Sequence, residues 1–160
     1  MVLSIVVLIV PIVIMVGIYR GLKRGDQPVT IDTATVLDDA RRADDFPVAA
    51  PAGLPAQWHP ISARYQRGDG RAVLRIGYVS PSRAGFQVVE SDRPADALLA
   101  EELGNTRPDG TATVAGKQWQ RYVGDANQRA LVLLERERTV VVIGVGSDAD
   151  LATLAGALAV

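Results

Sequence analysis

Hydrophobic and polar positions change rhythm along this chain, and each change marks an element. Residues 2–19 form an almost unbroken apolar run, interrupted only by Ser4, Pro11 and Gly17. As a helix the run spans roughly 27 Å, close to the ~30 Å hydrocarbon thickness of a bilayer. Residues 20–30 are polar. A short helix follows, with Asp32 as its N-cap, Val36, Leu37 and Ala40 as its apolar stripe, and Arg41 and Arg42 at its negative-dipole end. Residues 46–60 hold four of the nine prolines, at 47, 51, 55 and 60. That many fixed φ angles predict a stiff, helix-averse strap lying over the fold, with Leu54 and Trp58 as its apolar plugs.

From Ile61 the period becomes two. Ile61, Ala63 and Tyr65 alternate with Ser62, Arg64 and Gln66; Gly68-Asp69-Gly70 turns the chain; Ala72, Leu74, Ile76 and Tyr78 alternate with Arg71, Val73 and Arg75. With residues 86–91 this predicts a three-stranded antiparallel meander with one buried face. Pro94 opens a helix over 95–103, with Leu98, Leu99 and Leu103 inward. Strands follow at 111–114, 118–123, 130–134 and 139–145. The last, Thr139 through Val145, is so continuously apolar that it predicts burial on both faces and a central place in the sheet. A final helix over 148–160 places Leu151, Leu154, Ala155 and Leu158 on one side. The fold class expected is α+β: an N-terminal transmembrane helix, then an antiparallel sheet of six to seven strands covered by two to three helices. The organisation expected is an anchor at 1–19, a juxtamembrane linker with a short helix at 20–45, and an α+β extracytoplasmic domain at 46–160.

Charge adds a compartment argument. All 18 acidic residues lie beyond position 25, whereas Arg20, Lys23 and Arg24 hug the apolar run. The domain is therefore acidic and offers no electrostatic footprint for nucleic acid. The chain has no cysteine, hence no disulfide, thiolate metal site or lipidation cysteine. The bulky, charged exit from the apolar run reads as a retained anchor in contact with the lipid bilayer, not as a cleaved signal peptide. By the positive-inside rule its basic flank would hold the domain in the cytoplasm. A hydrophobic segment that starts at the second residue also suggests a basic segment upstream of Met1.

Candidate chemistry is sparse. Gly144-Val145-Gly146-Ser147 stands between a strand and a helix, as phosphate loops do, but it lacks GxGxxG and GK[ST], and Asp148 and Asp150 already occupy the helix N-terminus. Asp38, Asp39, Asp44 and Asp45 read as a charged outer helix face, because a calcium loop needs alternating acids around a glycine. His59 is the only histidine, and no serine stands in a GxSxG elbow, so a hydrolase built on His59 is the remotest reading. No cofactor, metal or catalytic residue is expected. The aromatics Trp58, Trp119, Tyr65, Tyr78 and Tyr122 read first as sheet-core residues; the alternative is a partner or ligand surface where aromatics accompany arginines, made of Trp58, His59, Arg64, Arg75, Tyr78, Trp119 and Arg121.

Several segments together carry a family resemblance: Met1-Val2-Leu3-Ser4, Phe46-Pro47-Val48, Pro51-Ala52-Gly53-Leu54-Pro55 with Trp58 and Pro60, and Ser62-Ala63-Arg64-Tyr65. Arg75-Ile76-Gly77-Tyr78, Glu90-Ser91-Asp92 with Pro94-Ala95-Asp96, Pro108-Asp109-Gly110 and Trp119-Gln120-Arg121-Tyr122 continue it in order. The chain resembles an actinobacterial family of single-pass membrane proteins classed as a domain of unknown function. The resemblance implies a domain outside the cytoplasm, against the positive-inside reading. It also implies a fold similar to the PsbP-like superfamily, some of whose members act as mycobacterial envelope proteins. It carries over no catalytic residue. The function expected is a membrane-anchored, non-enzymatic domain that binds a protein or envelope component. The alternative is a carrier or sensor of a small apolar ligand held between sheet and helices.

Overall fold

The computed structural model describes residues 32–158. The expected anchor at 2–19 and the link at 20–30 lie outside the described residues. Among the described residues no helix is long and apolar enough to cross a membrane. The elements run α1 (Ala34–Ala43), β1 (His59–Gly68), β2 (Arg71–Val79), β3 (Gly85–Ser91), α2 (Ala95–Leu103), β4 (Arg107–Val114), β5 (Lys117–Val123), β6 (Arg129–Leu134), β7 (Thr139–Gly144) and α3 (Asp148–Ala157). The seven strands form one sheet in the order β1-β2-β3-β7-β6-β5-β4, antiparallel throughout. The seven strands and three helices of the described residues fall within the six to seven strands and two to three covering helices expected of an α+β fold, and the valine-rich strand β7 is central. Buried on both faces, its Val140, Val141 and Val142 can be uniformly apolar.

One expectation is corrected. The β1–β3 meander does not have a single buried face. Val73, expected outward beside Arg71 and Arg75, is buried with Val89, Val132, Val141 and Ile143 beneath Leu98 and Leu103 of α2. The opposite face packs Ala72, Leu74, Ile76, Phe86, Val88, Leu131 and Val142 against α3, α1 and the strap. Period two identifies which residues share a face, but a helix returning over the second face is a tertiary event. Burying that second set of large aliphatics contributes about 1.5–3 kcal/mol per side chain.

Boundaries shift where proline intervenes. β1 starts at His59, ahead of Ile61, with a register break between Pro60 and Ser62; β4 starts at Arg107, ahead of Thr111, with a break between Pro108 and Thr111. Both strands are sheet edges, where a proline's missing N–H forfeits no ladder bond. Thr33 holds the N-cap position of α1, and the Asp32 carboxylate accepts from the Ala34 amide at 2.8 Å. Helix α1, expected within a linker, contributes Leu37 and Ala40 to the same core as the sheet.

The strap, residues 46–58, lies across this core as expected. Trp58 is buried, its ring 5.5 Å from that of Phe86 at a tilt of 49°. Phe46 and Ala49 are buried beside it, while Leu54 is half-buried. The Gly144-to-Ser147 segment has a packing explanation. A Cβ on Gly144 or Gly146 would come within 2.3 Å of the Phe86 ring, so these glycines let β7 and α3 close on that ring. Ser147 caps α3, its Oγ accepting from the Asp150 amide at 3.0 Å.

Candidate functional site

The most unusual chemistry in the domain lies under the first residues of the strap. On β3 the side chains of Phe86, Val88 and Glu90 alternate toward the strap face, so strand geometry drives a carboxylate into the core. Glu90 is 0% exposed and sits in register between Leu74 and Val140. Its Oε2 accepts from the Ala49 amide at 3.0 Å and from Arg138 Nη1 at 2.6 Å; its Oε1 is buried with no partner among the described residues. Arg138, on the turn between β6 and β7, is also buried. It donates further to the Pro47 carbonyl and, through Nε, to Glu135 Oε2 at 2.7 Å. Lys117 completes the series by donating to Glu135 Oε1 at 2.8 Å.

Burial pushes the Glu90 carboxyl up to about 7, and the Ala49 amide and Arg138 only partly offset it. Burial also pushes the Tyr78 hydroxyl up to about 12, with the Glu90 charge adding to the effect. Burial raises Glu135 too, but hydrogen bonds from Lys117 and Arg138 outweigh it and leave that carboxyl below its ordinary value. The two acids thus diverge, though they share one guanidinium.

Beside this cluster opens a cleft of about 820 Å3, bounded by residues 44–47 at the strap entry, Arg71, Asp92, Arg93, Ala95 and the 135–139 turn. Its walls carry Arg71, Arg93, Arg136 and Arg138 against Asp44, Asp45, Asp92, Glu135 and Glu137. Most of these are committed to ion pairs: Arg93 with Glu101 at 2.6 Å, Arg71 with Asp92 at 3.7 Å, and Asp45 with Arg67 at 2.5 Å. Tyr65 also donates to Asp45, and Arg67 and Tyr65 together hold that carboxyl below its ordinary value. Arg136 and Glu137 are exposed at the rim with no salt bridge among the described residues. No group of His, Asp and Glu able to hold a metal ion occurs among the described residues.

The residues named from sequence as a possible surface are not gathered in one place. Trp58, Tyr78 and Trp119 are buried in the core on the strap face. Arg75 lies on the α2 face, donating to Glu101 at 2.8 Å and to Glu102 at 2.5 Å. Arg64 stands opposite Arg75 in the register, exposed. Arg121 pairs with Asp109 at 3.0 Å on the far side of the sheet, and His59 is half-buried at the start of edge strand β1. None of the seven lines the large cleft. The residues sequence reasoning missed are Glu90, Glu135, Arg138 and Lys117. Only Glu90 carried a signal, an acid in phase with Phe86 and Val88.

Comparison with known proteins places the whole domain in one family. The chain belongs to the family described as "Protein of unknown function (DUF4245)", whose model matches residues 1–158. No curated protein matches it.

Proposed function

We propose that the chain is a membrane-anchored, non-enzymatic domain that docks a protein or envelope component at the extracytoplasmic face of the membrane. The observation that carries this reading is the open, charge-lined cleft at one end of the sheet. Most of its acids and bases are held in ion pairs, with one another or with Arg67 and Glu101 just outside it, an arrangement suited to mixed-charge complementarity and ill suited to freeing an acid or base for chemistry. The rim residues Arg136 and Glu137, without a salt bridge among the described residues, are the groups offered to a partner. The apolar run at 2–19 supplies the tether, and the resemblance to an actinobacterial family of single-pass membrane proteins favours the outer face.

Packing favours this reading over an apolar-ligand carrier. Trp119, Leu74, Ile76, Leu98 and Leu154 fill the space between sheet and helices to below 2% exposure, whereas the cleft is polar. A hydrolase using His59 gains nothing from the geometry, because His59 does not line the cleft.

Site-specific photo-crosslinking in native membranes tests the proposal. A photoreactive residue at Arg136 is expected to give a discrete adduct that one at exposed Thr153 on α3 does not. Equal adducts from both positions, none from either, or turnover of a defined substrate by the purified chain would refute it. A topology reporter fused to the C-terminus checks the compartment independently.

A further inference from the structure

The strap is fastened near its start by side chains alone. Its carbonyl at Pro47 and its amide at Ala49 are both held by the Arg138–Glu90 pair, and its next main-chain link to the body is the Ala52 amide donating to the Ala157 carbonyl at 3.0 Å. Residues 46–58 contain no ionisable side chain, so the strap senses protons only through what it touches. What it touches is a carboxylate at 0% exposure with one oxygen satisfied and the other facing no donor among the described residues. An ionised carboxylate needs donors on both oxygens, and leaving one bare in a dry core is costly. Arg138 does not depend on the Glu90 charge, because Glu135 and the Pro47 carbonyl remain its acceptors.

We propose that Glu90 and Arg138 form a proton-operated latch on the strap: the strap closes tightly when Glu90 carries a proton and loosens when Glu90 is ionised. The sign is opposite to that of a simple salt-bridge clamp, which would tighten on ionisation. The groups facing Glu90 are Arg138 and Glu135 from the 135–138 turn and Tyr78 from β2, with Lys117 of β5 acting through Glu135. Of these acids, Glu135 is held low and Tyr78 high, so Glu90 titrates alone between them. Loosening the strap moves Pro47 and Phe46, two walls of the cleft. The latch stands whether or not the cleft binds the partner proposed above.

Hydrogen exchange on the full 160-residue chain, corrected for intrinsic rates, reads the latch directly. The Ala49 and Ala52 amides are expected to exchange ahead of Val141 and Val142 in β7 at every pH. Their protection is expected to fall between pH 5 and pH 8 by on the order of 70-fold, the ratio given by a carboxyl near 7 when closed and near 4.5 when open. Glu90→Gln is expected to hold the strap at its pH 5 protection throughout. Should that variant not fold, the carboxyl-carbon NMR shift of Glu90 in the natural chain serves instead, with a midpoint near 7 expected. Strap protection that is flat or rises with pH, a pH response retained in Glu90→Gln, a carboxyl midpoint below about 5, or identical protection of strap and β7 would each overturn the latch.

Discussion

Replacing Arg138 by Met keeps a long side chain in the turn but removes the guanidinium that Glu90, Glu135 and the Pro47 carbonyl share. Glu135 keeps Lys117 as a partner, so the cost falls on Glu90, buried with only the Ala49 amide left. Breaking one side of a buried ion pair costs about 3–5 kcal/mol because the surviving charge has no water to return to. Here Glu90 can escape part of that cost by binding a proton. Arg138→Met is therefore expected to cost about 3–5 kcal/mol at pH 8 and roughly half as much at pH 5, where the carboxyl is neutral and the loss is of the guanidinium's hydrogen bonds to Glu90, Pro47 and Glu135 rather than of a buried charge's counterion. Guanidinium unfolding at the two pH values measures this, followed by fluorescence of the two tryptophans, both in the core. Adding Glu90→Gln to Arg138→Met should recover most of the pH 8 loss. An equal cost at both pH values, or a loss below about 1 kcal/mol at pH 8, would show that Glu90 does not depend on Arg138 and refute the reasoning.

Three further outcomes follow from the same geometry. The unmodified chain should be most stable near pH 5. Glu90 lies at about 7 folded against an ordinary 4.5, so its contribution is complete below 4.5 and lost as pH rises through 7, by about 3 kcal/mol at most. Asp45, Glu101 and Glu135 are held low, so their contributions disappear only as pH falls below their ordinary range; a denaturation midpoint that climbs steadily from pH 5 to 8 would contradict this balance. Gly146→Ala drives a methyl into the Phe86 ring and should cost about 1–3 kcal/mol, with part recovered in a Phe86→Leu background, as thermal melts would show. Trp58→Ala removes the largest plug of the strap and should cost about 3–5 kcal/mol, while preserving strand content by circular dichroism.

Local rhythm carried the element list far. Period two and period 3.6 depend on chain geometry alone, so α1, the meander, the helix after Pro94, the four later strands and α3 were all legible. Even the central place of β7 was readable, because only a strand covered on both faces can be valine and isoleucine throughout. The edge strands were harder. Pro60 and Pro108 hid the beginnings of β1 and β4, since a proline excluded from an inner strand is admitted at an edge, and edge status is a property of the finished sheet.

Tertiary structure alone decided the rest. Whether Val73 faced solvent or a helix depended on where α2 docked. Sequence already spoke against a phosphate loop at Gly144-to-Ser147, but the reason for its glycines, the Phe86 ring beneath them, appeared only in the fold. The core reading of Trp58, Tyr78 and Trp119 agrees with their burial, but that the strap and α3 cover this face was decided in three dimensions. Glu90 and Arg138 are 48 positions apart, and neither residue announces a partner. A strand period can set an acid in the interior phase, but the base that meets it arrives on a different turn, carried there by the pairing of β3 with β7. Sequence determines the phase of each element by itself; the environment of a buried charge exists only once the elements are assembled around it.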